Sequence, residues 1–181
     1  MSTPHTLLQE TLTKWYAVRR GLIREISSVP PARLTFRATL ETRSIIDIVQ
    51  HVLEFSIITV EELVREDTNL HRASMSQLAN VYAPNISRAD TQEKLVNVLV
   101  EQYRDAEQRL SALGYLHMMQ RVPKVDNTKD TRLALLQDNI QHEMYHRGQL
   151  TVYARLLGLE PAITKDMHTG IPGSFNLGTV D

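Results

Sequence analysis

Residues that break helices are few in this chain and they come in clusters. Only 7 Gly and 7 Pro occur among 181 residues, which leaves long intervals where nothing interrupts a helix. Within those intervals apolar residues return every three or four positions, the period that gathers them on one helical face. Leu8, Leu12, Trp15, Arg19, Leu22 and Ile26 step in this way, with Leu7 and Val18 widening the stripe, until Pro30 and Pro31 stop it. A first helix is therefore expected over residues 5–28.

A second is expected over 45–65, where Ser44 stands three residues before Asp47 in the arrangement of a capping box. Its buried stripe reads Ile45, Ile48, Val49, Val52, Ser56, Thr59, Val60 and Leu63, while Glu61, Glu62 and Glu66 are expected to face out. A third helix, over 91–113, is opened by Asp90 and Glu93 and closed by Gly114. A fourth, over 131–157, is capped by Asp130 or Thr131 and closed by Gly158 and Pro161. Four long helices imply an all-α four-helix bundle, a single domain over residues 1–181. Residues 67–87 contain Pro84 and lack a clean period, so they read as a loop with a short helix near 74–81 and, by their length, as a candidate lid. A second long loop is expected at 115–129. The tail, 159–181, is rich in Gly, Thr and Ser and is expected to be irregular.

Composition removes several classes of function. With 20 Lys plus Arg against 21 Asp plus Glu the formal charge is −1, which argues against an electrostatic nucleic-acid binder. There is no cysteine, hence no disulfide, no catalytic thiolate and no thiolate-ligated metal. Any thiol chemistry must come from a substrate. The longest membrane-like run, residues 57–60, is far short of the roughly 20 apolar residues a spanning helix needs. The first twenty residues lack the apolar core of a secretory signal, so the expected location is the cytoplasm.

The chemistry of the chain centres on its histidines. His142 and His146 lie four apart in the fourth helix, about 6 Å along the axis and roughly 40° around it, so both imidazoles can reach one ion. His51 sits at the inner edge of a different helix, beside Ile48 and Phe55. Taken alone, a histidine in that setting is more often a packed core residue than a ligand. Together the three make a facial site that leaves coordination positions open, the mark of a catalytic rather than a structural metal. Zinc, nickel, copper and iron all suit three imidazoles.

Residues 142–146 read HEMYH, which also fits the H-E-x-x-H pattern of zinc peptidases with Glu143 as general base. One peptidase subtype needs a glycine at 149 and a histidine at 152, where Gln149 and Val152 stand. Another needs an acidic ligand on a later helix, and Glu160, Asp166 and Asp181 form no helical pattern. Glu143 is turned roughly 100° from His142, and so reads also as a surface or inter-helix salt-bridge residue. Arg147 is expected either to position an anionic substrate or to pair with an acid, and Gln149 either to orient His146 or to bond backbone. Trp15 and Tyr16 read as packing residues. His5, His71, His117 and His168 are assigned no function.

The wider string from His142 to Leu150, HEMYHRGQL, resembles the DinB/YfiT-like family of metalloenzymes. That family carries a histidine inside its second long helix and H-x-x-x-H followed by R-G-Q in its fourth, matched by His51, His142, His146, Arg147, Gly148 and Gln149. The entry at Ser44, seven residues before the histidine, is similar too. The resemblance covers residues 5–158 and omits both loops and the tail. It implies a bundle of up-down-down-up connectivity, a homodimer, and His51, His142 and His146 as ligands of zinc, nickel or iron. It also implies chemistry like that of thiol S-transferases using bacillithiol or mycothiol, or of a thiol-dependent maleylpyruvate isomerase. Three functions are carried forward. The first is a metal-dependent thiol transferase, and the second a metal-dependent hydrolase acting through metal-bound water with Glu143 as base. The third is a non-catalytic metal-binding or stress-linked bundle.

Overall fold

The computed structural model describes residues 6–124 and 128–169. Its helices are α1 (Leu7–Ser27), α2 (Ile45–Val64), α3 (Met75–Tyr82), α4 (Gln92–Met118), α5 (Arg132–Leu156) and α6 (Ala162–Thr169). Two short strands, β1 (Arg121–Pro123) and β2 (Lys129–Thr131), pair antiparallel just before α5. The architecture is all-α, as expected, with six helices where the periodicity marked four long ones and one short one.

The four long helices form the bundle. α1 and α2 each pack against α4 and α5, so consecutive α1 and α2 lie on a diagonal. Their directions follow from two apolar clusters. One joins Leu22 and Ile26 of α1 to Ile45–Leu53 of α2, Leu95 and Leu99 of α4, and Leu150 and Tyr153 of α5. The other joins Leu8, Leu12 and Trp15 of α1 to Val60 and Leu63 of α2, Leu110 of α4, and Leu133 and Leu136 of α5. The end of α1 thus meets the starts of α2 and α4 and the end of α5, which makes the connectivity up-down-down-up. No helix among the described residues is long and apolar enough to cross a membrane.

Local chemistry sets the helix ends. The capping boxes at Thr6 and Ser44 each satisfy two free N–H groups, and Thr131 caps α5 by accepting from the Ala134 N–H. α4 starts one residue later than expected. Thr91 is its cap, accepting from Lys94, while Asp90 takes the Lys94 ammonium at 2.8 Å. Gly114 adopts φ 77°, which breaks α4 where the sequence placed the break. The chain then resumes one more turn to Met118 and enters the hairpin, so the expected loop at 115–129 is partly ordered; residues 125–127 lie outside the described residues.

The tail departs further from expectation. α6 forms directly after Pro161, in the position where proline starts a helix rather than stops one. It is docked on α1. Glu25, buried, accepts from the N–H groups of Ala162 at 2.9 Å and Ile163 at 3.0 Å, and Arg24 pairs with Asp166. Residues 170–181 lie outside the described residues.

Between the two apolar clusters runs a buried polar layer. Arg19, 1% exposed, donates from Nε to Glu143 Oε1 at 2.8 Å and from Nη2 to Glu143 Oε2 at 2.9 Å. The Trp15 indole donates to the same Oε2 at 2.9 Å. The remaining guanidinium hydrogens reach Gln102, the Leu99 carbonyl and Ser56, so Arg19 ties α1 to α5, α4 and α2. This layer fixes the rotation of α5 and thereby the direction in which its histidines point.

Two further buried charges reverse the simple pattern. Glu62 does not face out; it is fully buried and accepts from Arg72, from the Asn69 N–H and from the Tyr82 hydroxyl. It anchors the segment before α3 and the last residue of α3 itself. Arg132 closes the C-terminus of α2 by donating to the carbonyls of Leu63, Arg65 and Glu66.

Candidate metal centre

His51 comes from the start of α2, and His142 and His146 come from successive turns of α5 facing it. Their rings converge. The Nε2 of His142 lies 3.2 Å from the Nε2 of His51 and 3.2 Å from that of His146. All three ligand atoms lie within 4.8 Å of one another, and this is the only His, Cys, Asp or Glu group of that kind among the described residues.

Two observations test whether this cluster suits an ion. Nitrogens bound at about 2.0–2.1 Å to one tetrahedral centre stand roughly 3.3 Å apart, close to the spacing seen. Hydrogen bonding offers no equivalent solution. A neutral imidazole has one proton for two nitrogens, so the Nε2 of His142 cannot make in-line hydrogen bonds to both neighbours. A cation accepts all three lone pairs at once.

The surroundings keep those lone pairs free. Burial, reinforced by Arg43 and by the neighbouring imidazoles, lowers the pKa of His51 and of His142 to about 4. Burial also lowers that of His146, against the opposing hydrogen bond from Gln149. All three are neutral at pH 7, as ligands must be. The unfolded chain binds protons near pH 6.5 that folded His51 and His142 refuse until about pH 4, so metal-free protein loses stability as pH falls through that window. Urea midpoints of the metal-free wild type should fall more steeply there than those of a triple His51, His142 and His146 alanine variant.

Orientation comes from the next shell of contacts. The Nδ1 of His146 lies 3.0 Å from Gln149 Oε1; donation to that oxygen places the proton on Nδ1 and leaves Nε2 bare. Replacing Gln149 by Leu is expected to weaken metal affinity about 10–100-fold, measured by chelator competition. His142 is held differently. Its buried Nδ1 has no hydrogen-bond partner among the described residues, and its ring packs on Phe55 with centroids 4.1 Å apart.

Beside the cluster opens a cleft of about 380 Å³, with His51 and His142 in its wall. Arg43 and Glu54 line it from the α2 side, and Met75 and Ala79 of α3 line it opposite. The short helix expected at 74–81 is therefore present and stands over the site, which is the place of a lid. Burial pushes the Glu54 carboxyl up, with Arg43 opposing. Nothing in the sequence singled out Arg43 or Glu54. The only available signal was position, one residue before the cap of α2 and one turn beyond His51.

The other named residues fall elsewhere. Glu143, between the two histidines of α5, faces α1 and has both oxygens engaged by Arg19 and Trp15. Arg147 also faces α1, lying across Gly21, where any side chain would collide with its guanidinium, and 4.0 Å from Glu25. Trp15 is fully buried against Tyr103, whereas Tyr16 is half exposed. His71 and His117 contact the carbonyls of Lys124 and Leu63, and His168 contacts Glu160. His5 lies outside the described residues.

Comparison with known proteins completes the description. The sequence profile of the DinB family matches residues 1–170. The chain belongs to the DinB family. Among solved structures, a DinB-like protein from Bacillus subtilis is similar at a TM-score of 0.62 and 15% identity, over 82% of this chain and 92% of that one. A mycothiol-dependent maleylpyruvate isomerase is similar at a TM-score of 0.63 and 16% identity, over 83% of this chain and 63% of that one. The chain therefore spans less than two thirds of the isomerase, and at these identities the likeness concerns the fold. No curated protein is similar enough to match.

Proposed function

We propose that this DinB family member is a metal-dependent thiol S-transferase, joining a low-molecular-weight thiol to an electrophilic small molecule. The observation that carries this reading is the convergence of three neutral imidazoles, with the Nε2 of His142 3.2 Å from that of His51 and of His146, beside an open cleft that His51 and His142 line. His51, His142 and His146 hold the ion, with zinc or nickel preferred and iron compatible. A metal bound there supplies one thing, a lowered thiol pKa that makes thiolate available at neutral pH. The chain has no cysteine, so the sulfur belongs to the substrate. Its attack forms a carbon–sulfur bond as the leaving group departs with its electron pair, and the thiol proton passes to solvent. The likeness to a mycothiol-dependent isomerase supports a thiol partner, with mycothiol and bacillithiol as the compounds to try.

The protein residues have separate tasks in this scheme. Gln149 holds the tautomer of His146, Phe55 holds the ring of His142, and α3 limits access of water to the cleft. Glu143 has a structural task, because its two oxygens serve Arg19 and Trp15. We place the enzyme in the cytoplasm as a homodimer, the mass to be checked by light scattering.

The test is a transfer assay on metal-loaded protein with bacillithiol or mycothiol and a chromogenic aryl halide. The expected result is turnover that needs both metal and thiol and is lost in His142→Ala. Full metal occupancy without any rate above buffer would instead leave a non-catalytic metal-binding bundle.

A further inference from the structure

The cleft beside the histidines holds an exposed cation, Arg43, and a half-buried carboxylate, Glu54, neither of them fixed in an ion pair by a described residue. Other charged residues on and around α2 are paired: Arg37 with Asp47 at 2.6 Å, Arg72 with Glu62 at 3.1 Å, Arg65 with Asp67 at 2.9 Å. Arg43 and Glu54 make no side-chain hydrogen bond or ion pair among the described residues, not even with each other. Yet they share one cleft of about 380 Å³, and the charge of Arg43 reaches Glu54 and all three imidazoles. Glu54 is half-buried, so its charge is partly desolvated, with the charge of Arg43 opposing that penalty across the cleft.

We propose that this pair reads a zwitterionic head group, Arg43 taking a carboxylate and Glu54 an ammonium, so that the ligand is a small molecule of amino-acid type. The part of the claim that the ligand presents sulfur to the histidines rests on the function proposed above. The charge argument does not. A dianion such as phosphate is disfavoured by Glu54, and a neutral ligand would cover the half-buried Glu54 carboxylate without offering it a donor of opposite charge. Arg43 offers a planar fork suited to two carboxylate oxygens, and an ammonium needs only an acceptor of opposite charge. A cleft of this size accommodates an amino acid with room for a second reactant. Met75 and Ala79 of α3 close the apolar side, against which an aliphatic carbon chain would lie.

Four thiols that differ in charge form the test: L-cysteine, 3-mercaptopropionate, cysteamine and 2-mercaptoethanol, titrated calorimetrically into zinc-loaded protein whose metal content is measured before and after. L-Cysteine should bind at least about tenfold more tightly than 2-mercaptoethanol. Arg43→Gln should reduce it to the level of cysteamine, and Glu54→Gln to that of 3-mercaptopropionate. Equal affinity for all four thiols, or a preference that survives both substitutions, would overturn the proposal while leaving the metal site intact. A second readout needs no metal. L-Serine, which has the same head group without sulfur, should protect Arg43 of metal-free protein from modification by phenylglyoxal, scored by peptide mass. If zinc is not held, the proposed function fails, and the serine result still decides the head-group claim: protection upholds it and unaltered modification overturns it.

Discussion

Replacing Arg19 by Met is expected to cost the fold about 3–5 kcal/mol, because it leaves the Glu143 carboxylate buried without its partner. Both side chains are almost fully enclosed, at 2% and 1% exposure, so solvent offers no relief. The loss spreads, since Arg19 also holds Gln102, Ser56 and the Leu99 carbonyl. The Trp15 indole, which donates to Glu143, cannot neutralise it. A double variant, Arg19→Met with Glu143→Met, removes the stranded charge and should recover most of the stability, as buried pairs exchanged whole for apolar residues often do. Urea unfolding with an unchanged slope measures both. A single-variant loss below about 1 kcal/mol would mean that the polar layer does not hold the bundle in register.

Loading with zinc should raise the melting temperature of the wild type and leave that of the triple His51, His142 and His146 alanine variant unchanged. An ion that binds only the folded state stabilises it by about 2.7 kcal/mol when free metal is a hundredfold above Kd. In a chain of this length that corresponds to roughly 5–10 °C. The gain arises because the unfolded chain does not bring three imidazoles together, whereas the folded bundle holds their ligand atoms within 4.8 Å of one another. Gln149→Leu should show an intermediate gain. Equal shifts in wild type and triple variant would mean that zinc binds elsewhere on the surface.

The long helices and the three histidines were legible because their signals are local. A stripe such as Leu8, Leu12, Trp15, Leu22 and Ile26 needs only helical periodicity, and the His142 and His146 pair needs only a spacing of four. His51 joined them because a bundle can set one residue of a neighbouring helix against two of another, and the family resemblance added weight, since the residues around it by themselves favour a core histidine. What stayed hidden depended on partners distant in sequence. Glu62 looked like a solvent residue because Arg72 and Tyr82, which make its burial tolerable, stand on a segment without periodicity. Glu143 fitted a peptidase motif, and its commitment to Arg19 across 124 positions could not be read from the motif. α6 is too short to show a period, and what holds it on α1 is the carboxylate of Glu25. Arg43 and Glu54 carry no motif at all; only the fold puts them in one cleft with the histidines.

The central claim is that His51, His142 and His146 hold a metal ion, and elemental analysis by plasma mass spectrometry addresses it most directly. The protein is purified without an affinity tag or chelator, alongside the triple alanine variant. The account predicts close to one equivalent of zinc, nickel or iron per chain in the wild type and none in the variant. Wild-type protein that stays empty after reconstitution with each of the three metals would contradict it.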